Sequence, residues 1–334
     1  MTLNCKPSPS RWTRFSLLVA IFITVIGCDN VDVKESSRLA QSGEAYFDEG
    51  EYDKALDFFN RAIEADPSNI TALLKRAHIN ARRGNSDLAR DDYDRTIILD
   101  PNNPEQYLKR AQFHQVQSDL KSSLADCNRA IQLAPNHPGA FSFRAGLHLQ
   151  AGQHDAAIAD CDRAIELKSN LYQAWNNRGI AWQAKGELQK ALDDYNEAIQ
   201  ITNMISDAFV NRGGVHALMK KYDLALSDFS EAIRIAPMDP LGYDNRGSLY
   251  LALEKPDKAI ADFTQLLNIT TDDAERAKRV FGPGRRKAQI HIKRAQAHQL
   301  KDQRDEAILD LRNALKLDPS HAVAQRMLIA LTKP

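Results

Sequence analysis

Cysteine is scarce: four residues in 334, with no two standing as CxxC. Neither a structural zinc site nor a dithiol redox pair has a framework here. Also missing are a Walker A loop, a dinucleotide fingerprint, a GxSxG elbow and an HExxH pair. The enzymes built on those motifs are excluded, and no cofactor or metal is expected. Charge of one sign is lacking too, because 44 Lys and Arg balance 44 Asp and Glu. No global field recruits nucleic acid, so none is expected as a partner. What the chain does have is 43% apolar residues, enough for a buried core, and 26% charged ones, against disorder.

One apolar run stands out, Leu17 to Ile26, behind the basic residues Lys6, Arg11 and Arg14. Even Phe15 to Gly27 is short for a bilayer span, so residues 1–27 read as a signal peptide. The run ends Val25-Ile26-Gly27-Cys28, which resembles the lipobox of bacterial lipoproteins. That resemblance implies cleavage before Cys28, lipidation of its thiol and a membrane anchor for residues 28–35 and all that follows. The alternatives are a plain secretory signal with an accidental cysteine, or an uncleaved anchor. Cleavage would remove three basic residues and leave a net charge of −3. The remaining thiols, Cys127 and Cys161, read as core residues. Asp29 to Glu35 could reach at most about 23 Å, so the folded part would sit close to the bilayer.

The rest of the chain repeats. Units of 34 residues begin at Ser36, Ile70, Pro104, Pro138, Tyr172, Ser206 and Pro240, and an eighth begins at Ala288 after an insertion. Position 8 is always small: Gly43, Ala77, Ala111, Ala145, Gly179, Gly213, Gly247 and Ala295. Position 20 is Ala, or Ser123 in the third unit, and position 32 is often Pro. Apolar and small residues recur at helical spacing in each half-unit. Small residues at 8 and 20 let two helices approach closely. Such hairpins cannot bury an apolar face alone and must stack on neighbours.

This pattern resembles the tetratricopeptide repeat family from Ser36 to about Leu331. The resemblance implies an all-α, right-handed superhelical solenoid of eight helix-turn-helix hairpins: seven in 36–273, the eighth in 288–321, and a capping helix in 322–334. It also implies a non-catalytic scaffold that binds protein or peptide partners in a concave groove. Two further possibilities are a periplasmic adaptor for peptidoglycan-processing enzymes and a cytosolic assembly factor whose N-terminus only mimics a signal. Partner identity and oligomeric state are not legible in the sequence.

Comparing the units with one another adds one pattern. Position 7 is Arg and position 23 is Asp in units two to eight, whereas unit one has Ser42 and Phe58. Loss of both together predicts an ion pair across each hairpin, as in Arg178 with Asp194 and Arg212 with Asp228, because a partly buried guanidinium needs a partner. Ser36, Ser37 and Arg38 are expected to face the free end of the stack.

In the resembled family, first-helix positions line the groove, which here implies partner contacts by Gln112, Asn176 and Gln183. Asn177, Asn211 and Asn245 at position 6 repeat an Asn-Arg-Gly triplet. They could grip a peptide backbone through their amides, or serve the fold locally. No unit carries the Lys at position 5 with Asn at position 9 by which the chaperone-binding subgroup grips a carboxylate. His114, His148, His216 and His298 occupy position 11 and read as packing residues. The insertion Ala274 to Lys287 holds Arg276, Lys278, Arg279, Arg285, Arg286 and Lys287 against a single acid. It could meet an anionic surface, or be a tolerated loop.

Overall fold

The computed structural model describes residues 32–272 and 285–333. All regular structure among them is α-helix, in seventeen segments. Met1–Leu133 and Ala134–Pro334 form two compact units. The first holds three hairpins: α1 (Val33–Asp48) with α2 (Tyr52–Ala65), α3 (Ile70–Arg82) with α4 (Ser86–Leu99), and α5 (Pro104–Val116) with α6 (Leu120–Leu133). The second holds hairpins four and five, α7 (Pro138–Gln150) with α8 (His154–Leu167) and α9 (Tyr172–Ala184) with α10 (Leu188–Ile201). Hairpins six and seven follow, α11 (Ser206–Leu218) with α12 (Tyr222–Ile235) and α13 (Pro240–Ala252) with α14 (Pro256–Asp272). Hairpin eight is α15 (Arg285–Gln299) with α16 (Arg304–Leu317), and α17 (Ala322–Thr332) ends the unit. We call the first helix of each hairpin A and the second B. Within each unit every B helix also packs on the next A helix.

Local sequence sets the ends of these helices. Asn69, Asn103 and Asp239, all at position 34, accept a hydrogen bond from the first turn of the helix that follows. Pro104, Pro138 and Pro240 stand first in theirs, where a missing N–H costs nothing. Between A and B the chain closes a Schellman turn: in hairpin four, Gln153 N–H donates to His148 O at 2.8 Å and Gly152 N–H to Leu149 O at 3.0 Å. That turn needs a left-handed residue at position 15. Gly50, Gly84, Gly152 and Gly186 supply it, but Ser118, Lys220, Glu254 and Asp302 adopt it against their Cβ, with φ from 52° to 61°. Lys220→Gly should therefore raise stability by about 1 kcal/mol. An unchanged thermal midpoint would show that the turn stores no such strain.

The core lies between A and B. A Cβ on the position-8 glycine would stand 2.7 Å from the Phe59 ring at Gly43 and 2.6 Å from Tyr195 at Gly179. At Gly213 the Phe229 ring is 2.8 Å away, and at Gly247 the Phe263 ring is 2.9 Å away. Where position 8 is Ala, position 24 is usually smaller: Cys127, Cys161 and Leu311. Neither thiol is in a disulfide and both are buried, each taking the space of a ring under an alanine methyl. Hairpin two keeps both Ala77 and Tyr93, and there the Tyr93 ring lies 5.3 Å from Phe113 of the next hairpin.

Two expectations about the ends change. Ser36 is fully buried: its hydroxyl donates to Ala62 O at 2.7 Å and accepts from Asn69 Nδ2 at 2.8 Å. It therefore joins hairpins one and two, while Ser37 and Arg38 are exposed. Arg285 to Lys287, read as the end of the insertion, form the first turn of α15. At the far end α17 packs on α16, and Ala324, Met327, Leu328 and Leu331 join the core cluster of hairpin eight.

Candidate functional site

The A helices of neighbouring hairpins pack side by side throughout the second unit, and their outward positions form one face. In the second unit this face is notched by glycine. Gly139, Ser142, Phe143, Gly146, Gln173 and Asn177 line a cavity of about 270 Å³ between α7 and α9, with no charged side chain in its wall. Further along, nothing lies within 4 Å of where a Cβ on Gly214 would stand. A second cavity of about 300 Å³, between α13 and α15, is bounded by Pro240, Leu241, Asp244, Arg286, Gln289 and Lys293. Its polar end is organised: Lys293 Nζ donates to Asp244 Oδ1 at 2.5 Å and to Ser248 Oγ at 3.0 Å. The uncharged wall in one place and the ion-paired wall in the other could hold different stretches of one extended chain.

The asparagines expected to grip a partner are partly engaged within the protein. Asn177 Nδ2 donates to Ser142 O of the preceding A helix at 3.1 Å. Asn211 Nδ2 donates to Asn176 Oδ1 at 3.0 Å, again across two A helices. Asn245 Nδ2 turns back to Leu241 O of its own helix at 2.9 Å. The first two bonds tie neighbouring A helices together. Gln183 Oε1 accepts from the Tyr195 hydroxyl at 2.9 Å, which ties a groove residue to the B helix. Gln112 stands exposed on α5. Cys28, Arg276, Lys278 and Arg279 lie outside the described residues. Of the insertion's cations, Arg286 and Lys287 sit on the first turn of α15, where positive charge opposes the helix dipole.

Hairpins two to eight each carry an Arg–Asp pair. Arg178 Nε and Nη2 donate to the two oxygens of Asp194 at 2.9 and 2.8 Å. Arg212 grips Asp228 at 3.0 and 2.6 Å. The same fork joins Arg76 to Asp92, Arg110 to Asp126, Arg144 to Asp160, Arg246 to Asp262 and Arg294 to Asp310. Each carboxylate is almost wholly buried, whereas about a fifth of each arginine side chain reaches solvent. Bidentate geometry is what makes such burial tolerable.

A third bond was not foreseen. The remaining guanidinium nitrogen reaches back to the B helix of the preceding hairpin. Arg76 donates to Asn60 at 2.8 Å, Arg178 to Asp162 at 2.6 Å, Arg212 to Asn196 at 2.8 Å and Arg246 to Ser230 at 2.9 Å. Each of these four arginines therefore joins neighbouring hairpins as well as the two helices of its own. Asp194 first and Asp162 after it outweigh burial and hold the Arg178 guanidinium charged, its pKa raised. The available signal was the small polar residue at position 25.

The position-11 histidines adjoin the same carboxylates. His148 Nε2 lies 3.6 Å from Asp160, and His216 and His298 lie 3.8 Å from Asp228 and Asp310. Burial pushes the His216 imidazole below the usual range. These rings pack as expected, but they also shield the pairs from water. Hairpin one closes the place differently, with Tyr46 stacked on Phe58 at 5.3 Å.

Comparison with known proteins is consistent across the chain. Models described as TPR repeat match residues 43–84, and models described as tetratricopeptide repeat match 74–138, 108–171, 172–201, 242–273 and 288–321. No curated protein matches the chain significantly. Among solved structures, the chain is similar to one in the APC/C hetero-tetramer Cut9–Hcn1, with TM-score 0.62 and 16% identity over 97% of this chain. It spans 60% of the length of that protein. It is also similar to the Pseudomonas aeruginosa protein pilF, with TM-score 0.54 and 18% identity, over 64% of this chain and 98% of that one. At such identities the likeness is one of fold.

Proposed function

The chain belongs to the tetratricopeptide repeat family, and from that premise we propose that it is a non-catalytic scaffold of the bacterial cell envelope. Its partner would be an extended protein or peptide segment held along the A-helix face from α7 to α13. The observation that carries this reading is the uncharged, glycine-notched wall of Gly139, Ser142, Gly146 and Asn177. A peptide backbone can approach closely where no Cβ stands in the way, and amides such as Gln173 offer it both donor and acceptor. Peptides selected from a random library on the full chain should lose binding to Gly214→Arg. The added side chain enters open space, so the fold should melt unchanged. Equal binding by variant and parent would refute the groove.

The envelope part of the proposal rests on the sequence Val25-Ile26-Gly27-Cys28. No helix among the described residues is long and apolar enough to cross a membrane. A thioether-linked diacylglyceryl group and further acylation at Cys28 would hold the protein, since each buried methylene contributes about 0.8 kcal/mol. Labelled palmitate should enter the parent chain and not Cys28→Ser. Incorporation into both would remove the anchor from the proposal. The basic cluster of Arg276, Lys278, Arg279, Arg285, Arg286 and Lys287 would meet an acidic partner surface.

A further inference from the structure

Seven of the eight hairpins carry a ring at position 11, and the second carries Asn80 instead. The structure shows what that ring touches: positions 7, 19 and 23 of its own hairpin. Tyr46 stacks on Phe58 (position 23), with Lys54 (position 19) 5.4 Å from its centre. Lys190, again position 19, lies 4.4 Å from the Trp182 ring. Arg246, at position 7, lies 6.0 Å from the Tyr250 ring.

In hairpin two the same three positions are Arg76, Leu88 and Asp92. With Asn80 they bound an open cavity of about 410 Å³, closed on its other side by Leu56 and Asn60 of hairpin one. That volume is within the range of sites that hold small ligands. Asn80 is buried and leaves the space unfilled, its Oδ1 accepting from Asn85 Nδ2 at 3.4 Å. Leu88 stands where hairpins one, five and seven have lysine, and it is 57% exposed, so its side chain is available at the mouth of the cavity.

The cavity is the place of a missing ring, and we infer that it binds an aromatic side chain, tyrosine foremost, presented by a protein partner. Leu56 and Leu88 supply apolar surface for the ring. The Arg76 guanidinium is positioned as a cation for its face, and a phenol hydroxyl can donate to the carboxylates of Asp91 or Asp92. The site uses the Arg–Asp side of the hairpins and is independent of the A-helix face.

The test is a titration of the full chain with N-acetyl-tyrosinamide, followed by NMR of methyl-labelled leucines. Saturable shifts of Leu56 and Leu88 are expected. Asn80→Tyr, which fills the cavity from within, should abolish them while keeping the parent melting temperature. N-acetyl-leucinamide should bind more weakly by about tenfold or more. Shifts that never saturate, that persist in Asn80→Tyr, or that leucinamide reproduces equally would overturn the inference. Should Asn80→Tyr fail to fold, Leu88→Asp changes only an exposed wall and should weaken binding by about tenfold. Undiminished binding there would overturn it as well.

Discussion

Asp310→Asn is expected to destabilise the protein by about 2–3 kcal/mol at neutral pH. Asp310 is 2% exposed and takes Arg294 Nε and Nη2 at 2.8 and 2.7 Å. His291 Nδ1 lies 2.8 Å from Oδ1, the oxygen that also accepts from Arg294 Nη2. Asparagine retains the shape and one acceptor, but it leaves the guanidinium without a counter-charge. The expected loss sits at the low end for a broken buried pair because Arg294 is partly solvated. The effect should depend on pH in a defined direction. Burial pushes the Asp310 pKa up, but the bonds from Arg294 and His291 outweigh it and hold the carboxyl below its ordinary value. A lowered folded-state pKa stabilises the fold above the unfolded value, near pH 4, and that contribution disappears as pH falls through the folded one. Urea unfolding of parent and variant should therefore differ most above the unfolded value and converge as pH falls through the folded one. Curves that stay parallel throughout would show that the pair carries no net stabilisation.

Gly213→Ala should have an effect of comparable size, about 2–3 kcal/mol, from a single methyl group. That methyl would meet the Phe229 ring at 2.8 Å and the Cβ of Asp228 at 3.1 Å. Phe229 is fully enclosed, so its ring cannot retreat without moving α12. The companion change Phe229→Leu recreates the Ala295–Leu311 pair of hairpin eight, which packs with both residues fully buried. The double variant should be more stable than the sum of the two single losses predicts, by about 1 kcal/mol or more. Strict additivity in a double-mutant cycle would show that positions 8 and 24 are not packed on one another. Because stacked repeats can unfold piecemeal, hydrogen exchange in α11 and α12 is the sharper probe.

These predictions divide according to how the underlying contacts appear in the chain. The close approach at position 8 was legible because one constraint recurs eight times and admits only Gly or Ala. The Arg–Asp fork was legible for a different reason: both partners vanish together at Ser42 and Phe58. The recurrence of Asn177, Asn211 and Asn245 left two readings open, a grip on a peptide backbone or a local role in the fold, and their amides bond Ser142 O, Asn176 and Leu241 O within the protein. A repeated residue on a helix face can serve the adjoining helix as readily as a ligand.

Taken alone, the sequence determined the hairpin period, the helix ends and the residues that pair inside each hairpin. All of these follow from local geometry repeated at one spacing, so identity and position carry the information. The tertiary structure decided the contacts between hairpins. The third arginine bond is accepted by Asn60, Asp162, Asn196 or Ser230, side chains of different type that share only their place in space. The hollow beside Asn80 is likewise a matter of packing, since an absent ring becomes a cavity only where neighbouring side chains fail to close over it.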